Sequence, residues 1–309
     1  MTGSWFTRRT FYVDDLDLAD LAARKAASEQ RVSVVLPSRN EAETVEGVIA
    51  SVMTLRDTLV DEIVLLDGGS TDDTRKRAER AGAATYDDSE VLSELGPGLG
   101  KGDALWRSLA VTSGDLVVFV DTDIRNPTPQ FVWGLLAPLL LDPQVMLVKG
   151  FYERPLEAGG VLQPTGGGRV TELTARPLLN LFWPELAQVA QPLSGEYAGR
   201  RDLLESIPFF TGYGVEIGIL IDTLAAVGID GIAQVDLGAR VHHNQPMDAL
   251  SRMAFGVTQV AMRRLTAAGR AVDEQLPDTL VQFLRRDDGR LALEERRVDI
   301  VERPPFRSI

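Results

Sequence analysis

Asp121-Thr-Asp123 directly follows the apolar run Leu116-Val-Val-Phe-Val120. Two carboxylates at i and i+2, just past the end of a strand, can reach one divalent cation, and hard oxygen ligands suit Mg2+ or Mn2+. Such a cation would neutralise a diphosphate and stabilise it as a leaving group. Acidic residues also end strands where no metal binds, so the tripeptide alone leaves both readings open. The chain has two histidines, His242 and His243, adjacent and followed by Asn244. They come shortly after a strand expected near 232–237, where a third ligand could sit. Adjacent side chains on an extended segment point opposite ways, so one of the pair is expected to ligate and the other not.

Three further segments carry candidate chemistry. Gly96-Pro-Gly-Leu-Gly-Lys-Gly102 is built like a phosphate cradle, yet it matches neither a Walker loop nor a dinucleotide fingerprint: Leu95 and Gly102 break the first, and no strand leads into the second. It reads as a loop that delivers Lys101 to an anion, or as a plain linker. The first reading is sharpened by scarcity, because only Lys25, Lys76, Lys101 and Lys149 are lysines. In Gly166-Gly-Gly-Arg-Val-Thr171, successive glycines let backbone N–H groups converge on an anion, Arg169 adds a planar fork, and Thr171 adds a hydroxyl or a helix cap. A structural turn with a surface arginine is the alternative. Gly212-Tyr-Gly-Val-Glu216 places Glu216 at a helix start, where it could orient a sugar hydroxyl or simply favour the helix dipole.

The elements that must position these residues alternate. Strands are expected at 32–36, 62–66, 115–120 and 145–149, and helices at 41–55, about 72–81, 103–112 and 128–141. Val45, Val48, Ile49 and Val52 share one face of the first of these helices. This order implies an α/β fold with a doubly wound, mostly parallel sheet, and ligands then bind beyond the carboxyl ends of the strands. Residues after each strand should therefore carry the chemistry: Pro37–Glu41, Asp67–Ser70 and Asp121–Asp123. The expected organisation is a leading helical segment at 1–30 and a nucleotide-binding half at 31–150. An acceptor-binding half at 151–268 and a tail at 269–309 follow. Within the third part, helices are expected near 176–190, 215–227 and 247–267, with a loop at 191–200.

With 309 residues, 44% of them apolar, the chain can bury a large core. A net charge of −13 argues against nucleic acid as a partner. The absence of cysteine excludes thiolate metal sites and thiol catalysis. No signal core is evident, and Phe131–Val148 is broken by Gly134, Pro138, Asp142 and Pro143, so no membrane partner and a cytoplasmic location are expected.

Val34-Val-Leu-Pro-Ser-Arg-Asn-Glu41, Asp67-Gly-Gly-Ser-Thr-Asp72 and Asp121-Thr-Asp123 resemble the nucleotide-sugar half of the GT-A fold, a Rossmann-like sheet with a smaller acceptor-binding region. More specific are Gly100-Lys-Gly-Asp-Ala-Leu-Trp-Arg107, Gly166–Glu172, Pro192-Leu-Ser-Gly-Glu-Tyr197, Gly212–Glu216 and His242–Asn244. Over about residues 30–265 they resemble the retaining glucosyl-3-phosphoglycerate and mannosyl-3-phosphoglycerate synthases of actinobacteria. The resemblance implies hexose transfer from UDP-glucose or GDP-mannose to the 2-hydroxyl of 3-phosphoglycerate by a homodimer. It implies that Pro37, Glu41, Asp67, Lys101, Asp121 and Thr122 hold the donor, with Arg39 and Gly68 bordering the base. Asp121, Asp123 and His242 would hold Mg2+ or Mn2+. Tyr213 and Glu216 would hold the sugar, and Gly168, Arg169, Thr171 and Asn244 the acceptor. Asp123, Lys101, Glu216 and Arg169 would be the residues on which transfer depends. Mycobacterial glucosyl enzymes of this kind carry an apolar residue where Arg39 stands and a serine where Gly68 stands. An arginine there could donate to guanine O6 and N7, which tilts the donor towards GDP-mannose, alongside UDP-glucose. A polyprenyl-phosphate glycosyltransferase shares the donor half but needs a docking surface that the sequence does not offer. A nucleotidyltransferase would carry a glycine-rich signature in place of Pro37-Ser-Arg-Asn. A sugar-nucleotide sensor would have no use for an acceptor pocket.

Overall fold

The computed structural model describes residues 4–153, 156–158, 161–163, 168–241, 246–269 and 279–297. Its strands are β1 (Thr10–Tyr12), β2 (Val32–Ser38), β3 (Glu62–Asp67), β4 (Ala84–Asp87), β5 (Leu116–Phe119) and β6 (Leu147–Glu153). There follow β7 (Leu156–Ala158), β8 (Val161–Gln163), β9 (Tyr197–Arg200), β10 (Ile232–Ala239), β11 (Thr279–Arg285) and β12 (Leu291–Arg297). Eight of them form one sheet in the order β1-β10-β6-β9-β5-β2-β3-β4. All neighbours run parallel except β9, which is antiparallel to both β5 and β6.

The sheet is apolar on both faces, which is why its strands read as continuous hydrophobic runs. Val32, Val34 and Leu36 of β2, with Leu116 and Val118 of β5, pack into one core with the helices Leu18–Ser28, Val45–Met53 and Gln130–Leu141. Val35, Val117 and Phe119 alternate to the other face and meet the helices Lys101–Ser108, Arg176–Phe182, Val215–Val227 and Met247–Ala267. The period of two in the strands thus feeds two cores of the doubly wound fold. The interrupted apolar stretch near 131–148 is a buried core helix and the start of β6. Among the described residues, no helix is long and apolar enough to cross a membrane.

The helices at 215–227 and 247–267 lie at the expected residues. Several other expectations need correction. β4 and β9 are strands where loop was expected, and β9 is the antiparallel insertion between β5 and β6. The strand expected at 145–149 runs from Leu147 to Glu153, which carries Tyr152 to the end of the sheet. The helix expected at 176–190 stops at Phe182, because Pro184 cannot continue it, and a 3-10 turn, Pro184–Gln188, follows. Within the leading segment expected to be helical, β1 joins the sheet edge beside β10. Within the segment read as a tail, β11 and β12 pair as an antiparallel hairpin.

Candidate active site

The carboxyl ends of β2, β3, β5, β6 and β10 gather the candidate residues along one edge. Thr122 is buried, and its hydroxyl donates to the Pro37 carbonyl at 3.1 Å and lies 3.0 Å from Ser38 Oγ. That contact ties the turn after β5 to the end of β2 and fixes the carboxylates on either side of Thr122. Asp121 Oδ1 accepts from Lys101 Nζ at 2.7 Å, and Lys101 also reaches Glu216 Oε1 at 3.1 Å. Burial works against the charge of Lys101, but Asp121 and Glu216 override it and hold the ammonium well above the usual lysine range.

Glycine makes that triad possible. Lys101 opens one helix after Gly100, whose φ is 93°, and Glu216 stands in the first turn of another after the 3-10 turn Gly212–Gly214. The Cα of Gly212 would lie 3.7 Å from a Cβ on Gly100, and a Cβ on Gly102 would collide with the Phe210 carbonyl. A Cβ on Gly195 would strike both Asp121 Oδ2 and Lys101 Nζ. Gly195 therefore lets backbone approach the charges closely, Gly102 lets the two backbone segments meet, and Gly100 supplies the positive φ before the helix. The loop with Lys101 is not a plain linker.

Arg240, at the end of β10, is the main residue that sequence reasoning missed. It is 4% exposed. Its Nη2 donates to Asp123 Oδ1 at 2.5 Å and to Asp121 Oδ2 at 3.3 Å. Its Nη1 donates to Tyr152 OH at 2.7 Å and to Glu196 Oε2 at 3.3 Å. Burial opposes this charge too, yet Glu196, Tyr152, Asp123 and Asp121 hold the guanidinium well above its usual range. The network continues inward. Tyr152 OH donates to Glu196 Oε2 at 2.5 Å, and the buried Lys149 donates to the Ser194 carbonyl at 2.5 Å. Burial pushes Lys149 down to about 8, and Lys101 adds to that effect while Glu216, Glu196 and Asp121 oppose it. The rule that chemistry follows strand ends also applies to β10, and it points at Arg240. Glu196 and Tyr152 gave no such signal, since β9 and the far end of β6 were not expected.

At the other end of the edge, Asp67 is buried and accepts from Ser70 N at 3.1 Å and from the Ser70 hydroxyl. Gly68 N donates to the Ser38 carbonyl at 2.8 Å, which closes β3 onto β2 beside the half-buried Pro37 and the exposed Arg39. Glu41 N donates to Thr74 Oγ1 at 2.8 Å. The Glu41 carboxyl is pushed up to about 7, first by burial and then by the negative charge of Asp123; Asp121 and Asp72 add to this and the Thr44 hydroxyl opposes it.

On the expected acceptor side, Gly168 takes a φ of 75°, and its carbonyl accepts from Glu172 N at 3.0 Å. Arg169 is half-buried and Thr171 is buried at the start of a π-helical turn, Thr171–Ala175, a form that recurs at functional sites. This turn and the Gly212–Gly214 turn both pack against the helix Met247–Ala267, and Tyr213 is 55% exposed. Gly166, Gly167, His242, His243 and Asn244 lie outside the described residues. Among the described residues, no three acidic or imidazole side chains form a metal-ligating group. Asp121 and Asp123 do converge on a single nitrogen of Arg240, so their oxygens share one cationic focus.

Comparison with known proteins places this arrangement. Residues 33–160 match the family described as Glycosyl transferase family 2. The glucosyl-3-phosphoglycerate synthase of Mycolicibacterium smegmatis is 47% identical over 305 residues, 99% of this chain and 98% of that protein. The crystal structure of mannosyl-3-phosphoglycerate synthase from Rubrobacter xylanophilus superimposes with a TM-score of 0.80 at 44% identity, over 98% of this chain and 96% of that one. Glucosyl-3-phosphoglycerate synthase from Mycobacterium tuberculosis, crystallised with Mn2+, UDP-glucose and phosphoglyceric acid, gives a TM-score of 0.74 at 47% identity, over 95% of each chain. With a GT-A-like sheet, paired carboxylates at its carboxyl edge and identities of this size over nearly its whole length, the chain belongs to the glucosyl-3-phosphoglycerate synthase family of hexosyltransferases.

Proposed function

We propose that the chain transfers glucose or mannose, from UDP-glucose or GDP-mannose, to the 2-hydroxyl of 3-phosphoglycerate with the anomeric configuration kept. The observation that carries this reading is Lys101 held charged between Asp121 and Glu216, one carboxylate on the donor side and one on the expected sugar side. The M. tuberculosis relative, crystallised with Mn2+, UDP-glucose and phosphoglyceric acid, supports the UDP-glucose, acceptor and metal parts of this reading. In this reading residues 31–150 bind the donor and residues 151–268 carry the acceptor.

The donor lies along the strand ends, with Pro37, Arg39, Glu41, Asp67 and Gly68 at the nucleoside and Asp121 and Lys101 at the diphosphate. Thr122 acts through the carboxylates it fixes. The shared focus of Asp121 and Asp123 fits a hard divalent cation, Mg2+ or Mn2+, and these two with His242 would hold it. When bound, the cation supplies charge neutralisation to the departing diphosphate. Lys101 adds a fixed positive charge at the same place, already oriented before substrate arrives. Tyr213 and Glu216 hold the hexose. Gly168, Arg169, Thr171 and Asn244 hold the carboxylate and phosphate of the acceptor, which places its hydroxyl against the anomeric carbon. Asp121, Asp123, Glu196 and Glu216 are each engaged by Lys101 or Arg240, which favours direct substitution over a covalent glycosyl-enzyme. The acceptor oxygen bonds to the anomeric carbon on the face that the diphosphate leaves, and its proton passes to a donor phosphate oxygen. The active form is a homodimer.

The test is a matrix of donors (UDP-glucose, GDP-mannose) and acceptors with Mg2+ or Mn2+, read by product NMR, with light scattering for the assembly. Hexosyl-3-phosphoglycerate of unchanged anomeric configuration is expected. A glycosyl adduct on the protein in an intact-mass spectrum, or no transfer to 3-phosphoglycerate, overturns the reading.

A further inference from the structure

Asp88 follows β4, at the opposite end of the site edge from the paired carboxylates, and it is 6% exposed. Its carboxylate makes no hydrogen bond among the described residues; only its backbone N–H is engaged, by the Asp67 carbonyl at 3.0 Å. Burial raises this carboxyl, and Asp87, Asp103 and Asp67 reinforce the effect against Arg107. The residue is buried as a whole, but its carboxylate oxygens are not among the polar atoms cut off from water without a partner, so they are left to solvent or to a ligand.

Two glycines frame that carboxylate. A Cβ on Gly98 would collide with it. A Cβ on Gly68 would stand 3.7 Å from Asp88 Oδ2 and 3.8 Å from Arg39 Cβ. Gly68 thus separates an unpaired carboxylate from an arginine that makes no hydrogen bond or ion pair among the described residues. The loop side of this frame is held firmly. The buried Arg107 donates to Asp103 at 2.8 Å and to the Gly96 carbonyl at 2.9 Å, and Leu99 N donates to Asp103 Oδ2 at 3.0 Å. The sheet sets where this corner falls. From β5 through β2 and β3 to β4 there are three inter-strand spacings, about 14 Å. That is the order of length over which a nucleoside diphosphate separates its terminal phosphate from its base. With the diphosphate at β5, the base lies at the ends of β3 and β4.

The geometry points to Asp88 and Arg39 as a guanine-reading pair, with Gly68 the residue that leaves Asp88 open to the base. This rests on the proposed donor reading and narrows it to a guanosine nucleotide. A carboxylate accepts and never donates, and its two oxygens match two adjacent donors. Among the bases, guanine presents two side by side, N1–H and N2–H, while its O6 and N7 suit a guanidinium. Uracil offers a single N–H flanked by carbonyl oxygens that a carboxylate repels. A serine at position 68 would bring a hydroxyl within reach of Asp88 and satisfy it internally.

The experiment titrates GDP and UDP, each with Mn2+, into the full chain by calorimetry, for wild type, Asp88→Asn and Gly68→Ser. Wild type is expected to bind GDP at least as tightly as UDP. Asp88→Asn should weaken GDP about tenfold or more while UDP moves by less than about threefold. Gly68→Ser should shift the ratio in the same direction with the carboxylate still present. The inference is overturned if wild type prefers UDP by about tenfold, or if both variants change the two affinities by one common factor. A wild type that binds neither nucleotide would sink the donor reading itself. Binding of UDP with no change of ratio in either variant would sink this inference alone.

Discussion

The two ends of the site edge are built on opposite principles. At β5, β6 and β10, carboxylates and cations are ion-paired: Lys101 bridges Asp121 and Glu216, and Arg240 joins Asp121, Asp123, Glu196 and Tyr152, with only Arg240 Nε and Glu196 Oε1 of this network buried without a hydrogen bond. At β3 and β4, Arg39 and the Asp88 carboxylate lack partners among the described residues. The difference follows from what each end is proposed to meet. A diphosphate with its metal carries concentrated charge, and fixed dipoles and ions stabilise it best when they need no rearrangement. A base carries directional donors and acceptors, and a side chain can read them only if its own hydrogen bonds are still available.

Removing Arg240 breaks the ion-paired end most severely. Arg240→Met leaves Glu196, which is fully buried, beside Asp121 and Asp123 with no guanidinium among them. Stranding buried charges in this way costs about 3–5 kcal/mol, so urea denaturation should show a midpoint far below that of wild type. Arg240→Lys should recover only part, because a point charge cannot serve two carboxylates and a phenol in the geometry of a planar fork. A neutral result for Arg240→Met would mean that the ion-paired end is not pre-organised by this residue.

Much of that end was hidden in the sequence for a physical reason. Asp121 and Asp123 announce themselves because both lie within three residues of one strand end. Arg240 meets Asp123 across 117 positions and Tyr152 across 88, and no local pattern encodes such a meeting. It could be reached only by carrying the strand-end rule as far as β10. Glu196 stood within a quoted motif but was given no role there, because β9 runs antiparallel between two parallel strands and the four residues Tyr197–Arg200 are too short a run to separate from loop. The opposite end was legible at β2 and β3 but not at β4, which was not expected as a strand, so Asp88 was not singled out. Asp67, Gly68, Arg39 and Glu41 sit at two adjacent strand ends that the alternation of strands and helices predicts. The doubly wound, mostly parallel sheet was readable for the same reason, whereas β1 and the β11–β12 hairpin, with little periodicity to mark them, were not.

Lys101 and Glu216 sharpen the comparison by separating organisation from stability. Lys101 is only partly buried and stands at a helix start, and without it Asp121 keeps Arg240 while Glu216 keeps the nearby Lys149, so Lys101→Met should fold normally. Loss of one fixed charge on the leaving group should lower kcat about 10²- to 10³-fold. Glu216→Gln keeps the shape and removes the second carboxylate on Lys101; it should lower kcat/KM less than Lys101→Met does. Equal denaturation midpoints with unequal rates are the expected pattern. If Lys101→Met instead melts like Arg240→Met, the two cations share one structural role.

The glycine contacts give a smaller effect that tests how the triad is assembled. A methyl group at position 102 must displace the Phe210 carbonyl, which precedes the turn carrying Glu216. Gly102→Ala should destabilise by about 1–3 kcal/mol and separate Lys101 from Glu216. Gly212 has a φ of 69°, but no atom lies within 4 Å of where its Cβ would stand. Gly212→Ala therefore meets only backbone strain, about 1 kcal/mol. Comparing denaturation midpoints of the two distinguishes close approach from conformation as the reason for glycine.

The smallest effect concerns Glu41, which lies between the two ends and is influenced by both. Its carboxyl is pushed up to about 7 by burial and by Asp123, so the native state keeps a proton that the unfolded chain releases near the ordinary glutamate value of 4.5. Between those values the folded protein binds more protons than the unfolded one, and stability must fall as pH rises. Above about 7 both states have lost the proton and this contribution to the slope vanishes. Glu41→Gln removes the titration, so from pH 5 to 7 its melting temperature, compared with that of wild type in the same buffers, should gain steadily and then run parallel. Asp123→Asn should reduce the same slope by removing part of its cause. If wild type and Glu41→Gln run parallel across the whole range, the carboxylates at β5 do not act on Glu41, and the ion-paired end is electrically closed to the rest of the edge.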